Sequence, residues 1–81
     1  MSRHTELTGT VRSMTYPGAQ RPQVRVRLEV GDATIALVFM SRSTIECIDI
    51  GSTLTVSGAL TTDRGTPTMF NPRFVVKGSH G

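Results

Sequence analysis

From Gln23 to Val30 the chain alternates without a break, with Val24, Val26, Leu28 and Val30 to one side and Arg25, Arg27 and Glu29 to the other. A side-chain period of two over this length is that of a strand with one face buried and one in water. Gly31-Asp32 follows, and glycine at the first of two turn positions suits a type II′ hairpin. Thr34 to Met40 then returns with Ile35, Leu37 and Phe39 on one face, assigned to the core. The two runs make a hairpin.

Strands flank it on both sides. Thr8 to Met14, led in by Leu7, reads as a first strand, and Gly9 within it suggests a bulge or bend that helps a sheet curl. Tyr16 to Pro22 is a loop, since two prolines and a glycine forbid a regular ladder. After Met40 the pattern changes. Ser43-Thr44-Ile45-Glu46 has the spacing of a capping box, and Ile45 and Ile48 share a helical face that Gly51 ends. Thr53 to Leu60 alternates again, with Leu54 and Val56 inward. Thr61 to Pro67 is a second polar loop. A last strand, Thr68 to Val76, is interrupted at Asn71-Pro72, where the register is expected to shift through a bulge; the sequence leaves open whether Met69 or Phe70 faces inward.

Composition agrees with short strands and tight turns: 37% of the 81 residues are hydrophobic, and eight glycines and four prolines punctuate the chain. The chain makes one small domain at most. No apolar run approaches the length of a bilayer span, and Met1 to Glu6 lacks the apolar core of a signal peptide, so a soluble cytoplasmic protein is expected. Cys47 is the single cysteine, which excludes an intrachain disulfide and suits a small buried side chain.

The order is strand, loop, strand, turn, strand, short helix, strand, loop, strand. Five strands with one helix between the third and fourth is the order of the OB fold, an all-β Greek-key barrel. The helix would plug one end with Ile45 and Ile48. Residues 1–77 form this single domain, and 78–81 are expected to be a disordered tail.

Two stretches carry a resemblance to a known family. Phe70-Asn71-Pro72-Arg73-Phe74 in the last strand, with Val30 to Phe39 in the central hairpin, resembles small actinobacterial OB-fold nucleic-acid-binding domains. It also looks like the OB wedge domain of the RecG branched-DNA helicase. The resemblance covers roughly Leu7 to Val76 and does not reach a motor domain. What it implies is therefore a binding role in a bacterial protein, with an association to DNA repair or replication.

Charge points the same way. The net charge is +3, and almost all of the positive charge is arginine, the cation suited to bidentate phosphate contacts and to stacking on bases. OB folds bind on the outer face of the second and third strands, between the loop after the first strand and the loop between the fourth and fifth. That surface would carry Arg25 and Arg27, with Arg12 on the first strand and Arg21 and Arg64 on the loops. Arg73 adds charge near the end, and Tyr16 and Phe70 are the aromatic candidates for base stacking. Asp32, Glu46 and Asp49 fall away from this surface, whereas Glu29 and Asp63 would weaken its field. The expected partner is single-stranded nucleic acid, DNA before RNA, bound with little sequence preference.

Other chemistries find little support. His4 and His80 are expected in the two tails, distant from Cys47, no carboxylates converge, and phosphate-loop and dinucleotide glycine motifs are absent, so neither an enzyme nor a cofactor is expected. One cysteine and two histidines make a structural zinc site improbable. The alternative is a protein-interaction or adaptor module, or a homodimer, using an apolar strip of Ala36, Val38 and Met40 if these are exposed.

Overall fold

A computed structural model describes residues 3–15, 23–40 and 48–78. These form six strands: β1 (Arg3–Thr15), β2 (Gln23–Val30), β3 (Ala33–Met40), β4 (Thr53–Asp63), β5 (Thr66–Phe70) and β6 (Arg73–Gly78). The fold is all-β, and its strands close into a ring of five in the order β1-β2-β3-β5-β4 and back to β1. Every pairing is antiparallel except β3 with β5. No helix among the described residues is long and apolar enough to cross a membrane.

The alternating run becomes β2 over the expected residues, with Val24, Val26 and Leu28 buried and Arg25 and Arg27 exposed. Val30 pairs with Ala33 across the turn. Gly31 takes φ +60° and Asp32 stays at negative φ, as a type II′ turn requires. Val11, Val24, Val26, Leu28, Ile35, Leu37, Phe39, Leu54, Val56 and Met69 fill the inside of the ring. Phe74 leans against it, its ring edge-on to Phe39 at 5.6 Å and 79°.

Several expectations need correction. β1 starts at Arg3, so His4 lies in a strand opposite Ala59 and not in a tail. The bulge falls at Arg12: Val11 opposes Leu28 and Ser13 opposes Arg27, leaving Arg12 the extra residue. Gly9 has a different task, because a Cβ there would lie 2.3 Å from the Glu29 carbonyl oxygen. The Thr61–Pro67 loop shrinks to the pair Arg64-Gly65. Both residues take positive φ, 53° and 79°, as a type I′ turn demands, so β4 runs on to Asp63.

The capping box Ser43–Glu46, with Ile45 and Cys47, lies outside the described residues. Ile48 is buried in the core as expected of an end plug. Residues 48–51 are not helical: they form a turn in which the Ser52 amide donates to the Asp49 carbonyl at 3.0 Å and Gly51 takes φ +94°. Gly78 belongs to β6, opposite Thr53, and not to a tail; residues 79–81 lie outside the described residues.

The interruption at Asn71-Pro72 has the expected consequence. Thr61 opposes Thr68, and continuing that register would put Phe74 opposite Thr55; Val75 is there instead. β5 and β6 are therefore two halves of one partner to β4, offset by one residue. Met69 points inward and is fully buried, while Phe70 points out with 44% of its surface exposed. Asn71 sits at φ +51°, its amide donates to the Val38 carbonyl at 2.7 Å, and its Oδ1 accepts from the Met40 amide at 2.8 Å.

Asn71 is suited to this post because its short polar side chain tolerates the left-handed region. Asn71→Ala loses both the angle's tolerance and the acceptor, and should cost about 2 kcal/mol. Asn71→Gly keeps the angle and should cost about 1 kcal/mol, for the hydrogen bond alone. Denaturant midpoints of the two variants test this; equal losses would remove the backbone angle from the account.

Candidate nucleic-acid interface

The register aligns side chains of four strands into rows on the outside of the ring. One row runs Thr15, Arg25, Val38 and Phe70 across β1, β2, β3 and β5. The next runs Ser13, Arg27, Ala36 and Thr68, and continues to Thr61 on β4. Between them lies a groove of about 340 Å³ whose walls include Ser13, Thr15, Arg25, Arg27, Ala36 and Thr66. Adjacent strands are about 4.8 Å apart, so the arginine backbone on β2 and the Phe70 backbone on β5 stand roughly 10 Å from each other.

Most of the side chains that line the groove are polar, and Ala36 lies among them. Ala36 and Val38 point outward by register yet are buried, at 7% and 3% exposure. Arg27 and Thr68 stand on either side of Ala36, and Arg25 and Phe70 on either side of Val38. Arginine stems cover apolar surface while their guanidinium groups stay in water. This burial corrects the apolar strip expected for a protein partner: of Ala36, Val38 and Met40, Met40 alone is exposed. Thr68 is itself buried, its hydroxyl donating to the Thr66 carbonyl at 2.9 Å.

The two acids expected to weaken the field do so by pairing. Arg12 donates to Glu29 Oε1 at 2.7 Å. That hydrogen bond, with the attraction between the charges, holds the Glu29 carboxyl below the usual carboxylate range against a smaller desolvation effect. The same contact raises the Arg12 guanidinium above its ordinary value. The sign follows from linkage: what the pair adds to stability is present above the ordinary carboxylate range and lost as pH falls through the lowered Glu29 value. Arg25 and Asp63 approach only to 3.8 Å, both partly exposed, an arrangement of little energetic weight. Arg27 has no ion-pair partner among the described residues.

Of the residues singled out from sequence, Arg25 and Arg27 line the groove. Arg64 is not among the lining residues; it lies in the turn two residues before Thr66, which is. Arg12 stands at the bulge one row further along, occupied by Glu29. Phe70 is exposed at the end of the Arg25 row. Arg73 is not brought to the groove; it lies on β6 opposite Ser57, in a row that continues to Glu6. Tyr16 and Arg21 lie outside the described residues.

Ser13, Thr15 and Thr66 were not legible as groove residues. The one signal that could have found Ser13 and Thr15 is parity: placing the extra residue at Arg12 turns both outward beside the β2 arginines. Thr66 needed the turn to be only two residues long. Among the described residues no three His, Cys, Asp or Glu side chains come together as a metal would require. No protein-family model matches the chain, and no curated protein matches it in sequence.

Proposed function

We propose that this protein is a non-catalytic OB-type barrel that binds single-stranded nucleic acid, DNA in the first place, across the outer face of β2 and β3. The strand order, with β3 parallel to β5 in a closed ring, supports the OB reading. The observation that carries the ligand is the pair of rows that brings Arg25 and Arg27 together with Ser13 and Thr15 in one groove, with exposed Phe70 two strands away. Guanidinium groups would take the phosphates and Phe70 a base. Stacking is worth roughly 1–3 kcal/mol per base, so one platform gives weak binding and phosphate contacts supply the rest.

The test is fluorescence anisotropy of a labelled oligothymidine at about 50 mM and 200 mM salt. With Arg25, Arg27 and Arg64 on phosphates and Arg12 held by Glu29, the log–log salt slope should be near −2, about a 20-fold loss of affinity over that range. Binding that is indifferent to salt, or absent at low salt, would remove the proposal. RNA and duplex DNA are the second and third ligands to try.

The Arg12–Glu29 pair makes a sharper expectation. A phosphate must displace Glu29 to use Arg12, so Glu29→Gln should tighten oligothymidine binding. The salt slope should steepen by about 0.7, the value of one further single-strand phosphate contact. An unchanged slope would take Arg12 out of the interface.

A further inference from the structure

The hairpin of β4 and β5 does not continue the wall of the ring to its tip. The ladder of β5 on β3 ends at Thr68 beside Ala36, although β5 itself begins at Thr66. Between them stands Pro67, which has no N–H to offer β3. Continuing the register would set Thr66 beside Thr34. Thr66 instead lines the groove with Ser13 and Thr15 of β1 and Arg25 of β2. Thr68, at the crease, points outward by register yet is fully buried, and its hydroxyl donates back to the Thr66 carbonyl.

The contact of Arg25 with Asp63 measures the bend. Arg25 is level with Phe70, and Asp63 with Thr66, so along the ladder the two stand three strands and four residues apart. At about 4.8 Å between strands and about 3.3 Å per residue, their backbones would be about 20 Å apart on a flat sheet. Rolling that sheet into a ring points outward side chains away from each other. Yet Arg25 Nη2 lies 3.8 Å from Asp63 Oδ2. The hairpin therefore folds back over the outer face, and Asp63 ties it down across the groove.

We propose that this hairpin is a strap over the groove, latched in the free protein by Asp63 on Arg25 and released when a phosphate of the bound strand takes Arg25 in its place. The inference rests on the nucleic-acid reading of the groove and adds the control of that site. A carboxylate and a phosphate brought to one guanidinium repel each other, so filling the groove favours the lifted strap. The latch is suited to exchange, because both partners are partly exposed and such a pair is weak. Asp63 is thus an internal competitor for the ligand.

The experiment follows the Arg64, Gly65 and Thr66 amides of the full chain by NMR. In the free protein, Asp63→Asn and Arg25→Gln should each loosen the tip, read as a lower heteronuclear NOE and shifted signals at these residues. About 1 M salt should loosen the parent in the same way and leave Asp63→Asn almost unchanged, since it screens an exposed ion pair. Saturating oligothymidine should move the parent's tip signals toward those of Asp63→Asn, and that variant should bind about threefold tighter than the parent. A tip that neither substitution disturbs overturns the strap, whatever the groove binds. Oligothymidine that shifts Arg25 and Arg27 and leaves the tip in place overturns the release, while the nucleic-acid reading stands. No binding by either the parent or Asp63→Asn takes down both. Binding by Asp63→Asn alone would support the strap as a complete block.

Discussion

Gly9→Ala should cost the protein a large part of its stability. The added methyl would meet the Glu29 carbonyl oxygen at 2.3 Å and Val30 Cγ2 at 2.8 Å, both inside contact distance. The first of these is backbone, on a strand that β3 holds in register from its other side, so it has no room to retreat. β1 and β2 must part instead, at the place where Thr10 opposes Glu29. Overpacking of this kind costs about 3 kcal/mol. A domain of this size has roughly 4–12 kcal/mol in total. The melting temperature should fall by roughly 10–25 °C. Gly58→Ala is the matched control, since its methyl would sit 3.5 Å from Pro72 in ordinary contact. If the two variants melt together, the close approach of β1 to β2 is not what holds Gly9 in place.

Reversing both groove arginines, Arg25→Glu with Arg27→Glu, should abolish oligothymidine binding without unfolding the protein. Two phosphate contacts are lost and two repulsions replace them, so at about 50 mM salt the affinity should drop at least a hundredfold. Whatever binding survives should show a salt slope shallower by about 1.4. Both side chains are exposed, and the 3.8 Å contact with Asp63 contributes little, so stability should change by less than about 1 kcal/mol. Arg73→Glu is the comparator: it carries the same charge change outside the groove and should have a much smaller effect. Equal binding by the double variant and the parent would end the case for this face, and equal damage from Arg73→Glu would turn the groove into a general charge effect.

How much of this was legible in advance depended on whether the signal was periodic or positional. Strand β2 was plain because eight residues alternate strictly, and its glycine-first turn named its own geometry. The break at Asn71-Pro72 was visible because proline cannot donate to a ladder. The side of the break on which each residue faces was not. Whether Met69 or Phe70 is buried depends on a one-residue offset set by the left-handed turn at Asn71, and nothing local in the sequence marks it. The bulge in β1 was misplaced for a related reason. Glycine in a strand signals either a bulge or a close approach, and at Gly9 it was the second, while the extra residue was an arginine. The arginines of the groove were legible as a class from their alternation with valine. Their neighbours Ser13, Thr15 and Thr66 were not, because register between strands distant in sequence decides which hydroxyls stand beside them. The burial of Ala36 and Val38 was equally hidden, since outward-pointing residues are ordinarily wet.

The ring is closed by its shortest ladder. β2 and β3 match over eight positions, as do β1 and β4, but β3 meets β5 over three, Ala36 with Thr68, Leu37 with Met69 and Val38 with Phe70, with Asn71 fastening the end. Mechanically the molecule is a strip held shut by a clasp, and strain applied to it is released there first. The groove crosses that clasp: Arg25 and Arg27 stand on one side of it and Phe70 on the other. A polymer gripping both sides therefore does more than occupy a surface. It holds the clasp shut, so that anything loosening the seam weakens its grip and every filled site resists opening of the ring.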